Sequence, residues 1–123
     1  MDTIGLDFPN MPYFIDGEVR LTEPMAIIKY IAVKFGPESA IGATLDEKAE
    51  VEMMAHILSE LTRQASLPCY MPGKNQQELG ESLVHRMEPV VKIIEEKRDA
   101  KFLIGAEPTY ADFMLFELCE RVQ

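Results

Sequence analysis

Asn10, Met11 and Pro12, followed shortly by Thr22, Glu23 and Pro24, make up the part of this sequence with the most chemical content. Pro12 excludes Met11 from helical geometry, because the proline ring clashes with the preceding residue in the α region. Met11 is therefore expected as a short exposed edge whose N–H and C=O are free to pair with a peptide-like ligand. Thr22 is expected to open a helix, and a helix N-terminus attracts carboxylates through its unpaired N–H groups and the macrodipole. An extended edge beside such a helix end suits a small acidic peptide.

Those residues need a scaffold. Tyr13 to Ile15 and Val19 to Leu21 are short β-type runs around Asp16 and Gly17, which tolerate the positive φ of a tight hairpin turn. After Thr22 the apolar period changes, and Met25, Ile28, Ile31 and Ala32 share one face of a helix ending near Phe35, Gly36 and Pro37. A lone hairpin is marginal, so this helix must cover it. Pro37 to Ala43 reads as a linker between domains.

Thr44 and Glu47 then form a capping box, opening a long helix from Leu45 to about Leu67, where Pro68 is expected to end it. Met53, Ile57, Leu61 and Ala65, with Met54 and Leu58 alongside, predict a broad apolar face for a helical bundle, with the methionines filling gaps. Met71, Pro72 and Gly73 mark a turn. Asn75 is expected to cap the next helix, which carries Leu79, Leu83, Met87, Val90, Val91 and Ile94, and Pro89 is predicted to kink or split it. Glu95 to Lys101 alternates in charge and reads as a solvated helix end. Thr109 and Asp112 repeat the capping logic and open a final helix through Leu118.

A chain of 123 residues can bury one modest core, and 47% apolar with 27% charged residues is globular composition. No apolar run approaches membrane-spanning length, and the N-terminus lacks a basic-then-apolar signal pattern, so a soluble cytoplasmic protein without a membrane partner is the expectation. The net charge of −9 argues against nucleic acid, which demands clustered lysine and arginine. Cys69 and Cys119 show no metal-ligand spacing, and His56 and His85 are isolated. Neither a metal site nor a Ser/His/Asp or Cys/His constellation is indicated.

The run from Leu6 to Gly17, containing Asp7, Phe8, Pro9, Asn10, Met11, Pro12 and Tyr13, resembles the glutathione transferases and is most similar to the mu class. Leu67 to Tyr70, Phe102 to Gly105 and Pro108 to Phe113 continue the resemblance in the family's order. It implies an α+β fold: a partial thioredoxin-like β-hairpin plus helix at 1–36, followed by an incomplete all-α helical-bundle domain at 44–123. It also implies that the family's catalytic tyrosine lies upstream of Met1 and its last helices beyond Gln123, so that no residue here takes the primary catalytic role. The helix capped by Thr109 matches one that is buried and important for folding in that family.

The implied chemistry is attack of the glutathione thiolate on a hydrophobic electrophile, with glutathione as co-substrate and no further cofactor. A free thiol has a pKa of about 8.5, so only about 3% is thiolate at pH 7, and lowering the pKa by about two units requires roughly 2.7 kcal/mol of preferential anion stabilisation. In the resemblance, Asn10, Met11 and Pro12 contact the glutathione backbone, Pro12 being the cis-proline that shapes the edge. Glu23 and Pro24 fall on the pair that grips the γ-glutamyl end, and Glu60 on an acidic residue that reaches glutathione across a homodimer interface. Tyr70 matches a tyrosine beside the electrophile, and Phe8 an aromatic that anchors the neighbouring subunit. Pro24 departs from the family, because proline offers a carboxylate neither a hydroxyl nor an N–H. A non-catalytic glutathione-binding or structural protein of transferase descent is the alternative, and a truncated chain without a stable fold a third reading.

Overall fold

The computed structural model of the chain describes residues 4–71, 75–96 and 99–122. Strands β1 (Tyr13–Asp16) and β2 (Val19–Thr22) form an antiparallel hairpin in which Tyr13 faces Thr22 and Asp16 faces Val19. Both strands run one residue further than the β-type runs suggest, so the turn is Gly17 and Glu18 rather than Asp16 and Gly17. Gly17 has φ +59, at the first central position that the II′ class of hairpin turn reserves for glycine.

Helix α1 (Pro24–Phe35) follows directly. Thr22 does not open it: Thr22 closes β2, Glu23 is the N-cap and Pro24 occupies the first turn, where its missing N–H is no loss. Of the expected apolar face, Met25 and Ile28 pack on the core and Ala32 is buried, while Ile31 stays exposed. Tyr30 and Lys34 tie α1 to the hairpin. The Tyr30 hydroxyl donates to Asp16 Oδ2 at 2.9 Å, Lys34 pairs with the same carboxylate, and the Phe14 and Tyr30 rings lie 6.0 Å apart. The pairing with Lys34, then the hydrogen bond from Tyr30, holds the Asp16 carboxyl below its ordinary range.

The expected linker contains a short 3-10 turn (Glu38–Ile41), and buried Gly42 ends it at φ +94. A Cβ there would sit 2.7 Å from the Lys48 backbone nitrogen, so glycine lets the chain enter the next helix at close range. That helix, α2 (Leu45–Tyr70), starts at the anticipated capping box: Thr44 Oγ1 accepts from the Glu47 N–H, and Glu47 Oε2 accepts from the Thr44 N–H, both at 3.1 Å. It outruns Pro68, since a proline in the last turn removes one ladder bond where carbonyls are losing partners anyway, and the Met71 N–H closes that turn on the Leu67 carbonyl at 3.0 Å.

Helix α3 (Gln76–Glu96) is capped by Asn75, whose Oδ1 accepts from the Gln77 N–H at 3.1 Å, and Pro89 does not split it. Helix α4 (Tyr110–Arg121) extends past Leu118. The expected turn at Pro72 and Gly73, and part of the charge run from Glu95 to Lys101, lie outside the described residues. The core joins Val51, Met54, Ala55, Leu58 and Leu61 of α2 to Val90 of α3 and to Tyr110, Ala111 and Leu118 of α4. Met53 and Ile57, expected inside, are exposed. Apolar residues occupy two sides of α2, and the side carrying Val51 and Ala55 has the smaller side chains that let α4 approach closely.

Candidate functional site

The Met11–Pro12 peptide bond is cis, and Met11 is 76% exposed just ahead of β1. Its N–H is not free as expected: Asn10 folds its own side chain back, and Asn10 Oδ1 accepts from the Met11 N–H at 2.9 Å. A polar side chain next to an exposed extended edge can satisfy that edge locally. The other end of the Asn10 amide reaches across to the start of α1, where Nδ2 donates to Glu23 Oε1 at 3.2 Å. Asn10, Met11 and Glu23 therefore form one continuous polar rim.

Glu23 itself adopts φ +71 and ψ 116, a conformation that non-glycine residues occupy at a cost. No side chain caps α1, and Pro24 lacks an N–H, which leaves the amides of Met25 and Ala26 as the donors at that helix end. The Ile27 N–H is already engaged by the Glu23 carbonyl at 3.1 Å.

Below this rim, Pro12 and Pro24 form one wall of a cleft of about 530 Å³ between the hairpin half and the helices. Its opposite wall is Ser59, Thr62 and Arg63 of α2, with Met114 of α4. The Thr62 and Ser66 hydroxyls turn back onto their own helix, donating to the Leu58 and Thr62 carbonyls at 2.9 Å each. The cleft surface is accordingly more apolar than its composition suggests. A larger groove of about 970 Å³ runs between α2, α3 and the end of α4, away from the rim.

Glu60 sits on α2 beside Ser59. Its carboxylate is gripped in a fork by Arg63, with Nη2 to Oε1 at 2.7 Å and Nε to Oε2 at 2.9 Å, and Gln64 Nε2 adds a bond to Oε1 at 2.9 Å. Arg63, then Gln64, pulls the Glu60 carboxyl down to about 2. Tyr70 stands apart from the other candidates, 80% exposed at the end of α2 and outside the cleft wall. Phe8 is 79% exposed in the segment before β1. That segment is tied to β2 by Arg20, which donates to the Ile4 carbonyl.

Two features escaped sequence reasoning. The Glu60–Arg63 fork was legible as an i,i+3 pair on a helix. A second cluster was not: Lys29 of α1 and Tyr110 of α4 both meet Glu52 of α2, at 2.7 and 3.0 Å. The pairing with Lys29 holds the Glu52 carboxyl below its ordinary range, while burial and the Glu52 charge push the Tyr110 hydroxyl up.

A hairpin and covering helix followed by capped, packed helices is an arrangement also seen in the crystal structure of the glutathione S-transferase Blo t 8. The two superpose with a TM-score of 0.75 at 27% identity, over 97% of this chain and 55% of that one. The family profile "Glutathione S-transferase, C-terminal domain" matches residues 61–123, and the chain belongs to that family. It is 34% identical to a glutathione S-transferase class-mu 26 kDa isozyme of Schistosoma mansoni, over 93% of this chain and 56% of the relative. The corresponding isozyme of Schistosoma japonicum is also 34% identical, over 97% and 53%, and glutathione S-transferase Mu 4 of Mus musculus is 29% identical, over 95% and 52%. The chain spans about half the length of these relatives.

Proposed function

We propose that these residues form part of the glutathione site of a mu-like glutathione transferase, which joins the glutathione thiolate to hydrophobic electrophiles. The hydrogen bond between Asn10 and Glu23 carries this reading, because it sets a peptide-type edge and a carboxylate side by side at the open end of a helix. Glutathione needs such a pair of features: an extended edge for its peptide groups, and an acceptor for its α-ammonium.

In this reading the cysteinyl part of glutathione pairs with Met11 once the Asn10 amide swings aside, and Pro12 shapes that edge. Glu23 accepts the ammonium, and the Met25 and Ala26 amides beyond Pro24 take the γ-glutamyl carboxylate. Glu60 reaches glutathione bound to a second copy in a homodimer anchored by Phe8, and Tyr70 serves the electrophile. Glutathione is the co-substrate, no further cofactor is required, and the protein acts in the cytoplasm. Thiolate activation is assigned to no residue of this chain.

The alternative is a glutathione-binding or interaction protein without turnover. Pro24 favours it, since this position offers a carboxylate neither an N–H nor a hydroxyl, and so does the Arg63 fork that occupies Glu60. Calorimetric titration with glutathione, followed by a conjugation assay with an aromatic electrophile, tests both. Saturable binding by this chain supports the site, turnover by the protein isolated from its source supports the transferase, and binding without turnover in that protein supports the alternative. No heat of binding at millimolar glutathione overturns the site itself.

A further inference from the structure

We infer that Glu52 is a positioning residue for the cleft: a strut that holds α1, and with it the Asn10–Glu23 rim, at a set distance from α2. The inference rests on reading that cleft as the glutathione site.

Two other helices converge on this one carboxylate of α2. Lys29 Nζ of α1 and the Tyr110 hydroxyl of α4 both donate to Glu52 Oε2, at 2.7 and 3.0 Å, and His56 Nε2 lies 3.5 Å from Oε1. Tyr110 is 3% exposed, so the ring is held by the core and its hydroxyl fixes the Glu52 side chain from that side. Lys29 is half exposed, and an isolated ion pair of that kind contributes little because two long side chains must be ordered for it. Here one partner is already held, so Lys29 meets an acceptor in place.

The direction of the two helices turns this contact into a spacer. α1 begins at Pro24, on the cleft, and reaches Lys29 five residues later, about 7 Å along its axis. α2 runs the opposite way past it, from Glu52 to the cleft wall at Ser59 and Thr62, about 10 to 15 Å further on. Met25 and Ile28, both between the start of α1 and Lys29, line the opening together with Ser59 and Thr62. The Lys29–Glu52 contact thus lies at the closed end of a wedge whose open end is the cleft. Lengthening it would let α1 swing and carry Glu23 away from the α2 wall.

Hydrogen–deuterium exchange and glutathione calorimetry on the whole chain and three variants test this. Glu52→Gln keeps an acceptor for Tyr110 while removing the charge that Lys29 meets, Lys29→Met leaves the Glu52–Tyr110 bond intact should Glu52→Gln fail to fold, and Lys29→Arg preserves the pair. The expected result is faster exchange confined to α1 in the first two, with a glutathione Kd raised about 2- to 30-fold. α3 exchanges as before, and Lys29→Arg behaves as the parent chain in both measurements. Unchanged α1 exchange in Lys29→Met overturns the strut, and so does acceleration spread evenly over α2, α3 and α4, the pattern of a general loss of stability. Should the parent chain take up no glutathione, the site reading fails and the exchange pattern alone decides the strut.

Discussion

Asn10 and Glu23 are thirteen residues apart in sequence, yet Asn10 Nδ2 donates to Glu23 Oε1 at 3.2 Å across the mouth of a cleft. The bond spans the hairpin: Asn10 lies just before β1 and Glu23 just after β2, so the antiparallel register delivers both to the same end of the ladder. Glu23 holds φ +71 at this point, a conformation that typically costs a non-glycine residue about 1 to 3 kcal/mol. That cost is tolerated where a side chain is needed. Glu23→Gly should therefore leave the melting temperature unchanged or raise it, while weakening glutathione binding about tenfold through loss of the carboxylate. A variant that binds as tightly as the parent in calorimetry would remove Glu23 from the site.

Pro24 is the opposite case, a residue that suits the first turn of the helix and offers a carboxylate neither a hydroxyl nor an N–H. Restoring a hydroxyl and an N–H with Pro24→Ser should tighten glutathione binding about tenfold or more, since a hydrogen bond to a charged group contributes about 1.5 to 3 kcal/mol. The same change should lower stability by about 0.4 to 1 kcal/mol, as the unfolded chain regains freedom. Equal affinity for the two chains would show that the γ-glutamyl carboxylate is held elsewhere.

Phe8 presents an aromatic ring to solvent, the kind of residue that carries binding energy at an interface. If the proposed homodimer forms through Phe8, Phe8→Ser should convert it to a monomer in sedimentation equilibrium. An unchanged mass would dismiss Phe8 as the anchor.

Among the described residues, three carboxylates are held below their ordinary values: Asp16 through Lys34, Glu52 through Lys29, and Glu60 through Arg63, the last down to about 2 from 4.5. A carboxyl group depressed in the folded state adds stability that is fully present above its unfolded pKa and is lost as the pH falls toward its folded one. For Glu60 that window runs from 4.5 to about 2. Urea midpoints should hold steady down to about pH 5 and decline below it, and Glu60→Gln should flatten part of that decline. Because Glu60 is exposed, added salt should shrink the difference between the two chains. A Glu60→Gln profile parallel to that of the parent across the whole window would mean the fork adds nothing to stability.

What could be read in advance was local. The caps at Thr44 and Asn75 follow from side chains within four residues of the groups they satisfy, and the hairpin follows from one glycine between alternating runs. Which side of α2 faces the core was not readable, because Met53 and Ile57 on one side match Val51 and Ala55 on the other in apolar character, and only the approach of α4 decides. Contacts bridging elements were invisible for the same reason. Nothing near Lys29 or Tyr110 announces that both meet Glu52, 23 and 58 residues away. At the site, the exposed Met11 edge followed from the proline after it, but the capture of its N–H by Asn10 depended on a rotamer that no pattern specifies.

Asp112 shows how far one short-range rule extends into the tertiary structure. Its Oδ2 accepts from the Thr109 N–H at 2.8 Å and from the Thr109 hydroxyl at 2.9 Å, closing the start of α4. Its Oδ1 accepts from the Leu103 N–H at 2.8 Å, which fastens the preceding loop, with buried Leu103 and Ile104, onto the helix. Thr109 is itself buried, so these donors have no solvent to turn to when the carboxylate is removed. With about 1 to 3 kcal/mol for each orphaned group, Asp112→Ala should lose about 3 to 5 kcal/mol in urea unfolding. Asp112→Asn, whose single carbonyl oxygen can serve only one side, should fall between. The exposed Glu117–Arg121 pair on the same helix provides the contrast, and Glu117→Ala should stay within about 1 kcal/mol of the parent. An Asp112→Ala loss no larger than that of Glu117→Ala would mean that loop and helix are held together by apolar packing alone, with the carboxylate a bystander.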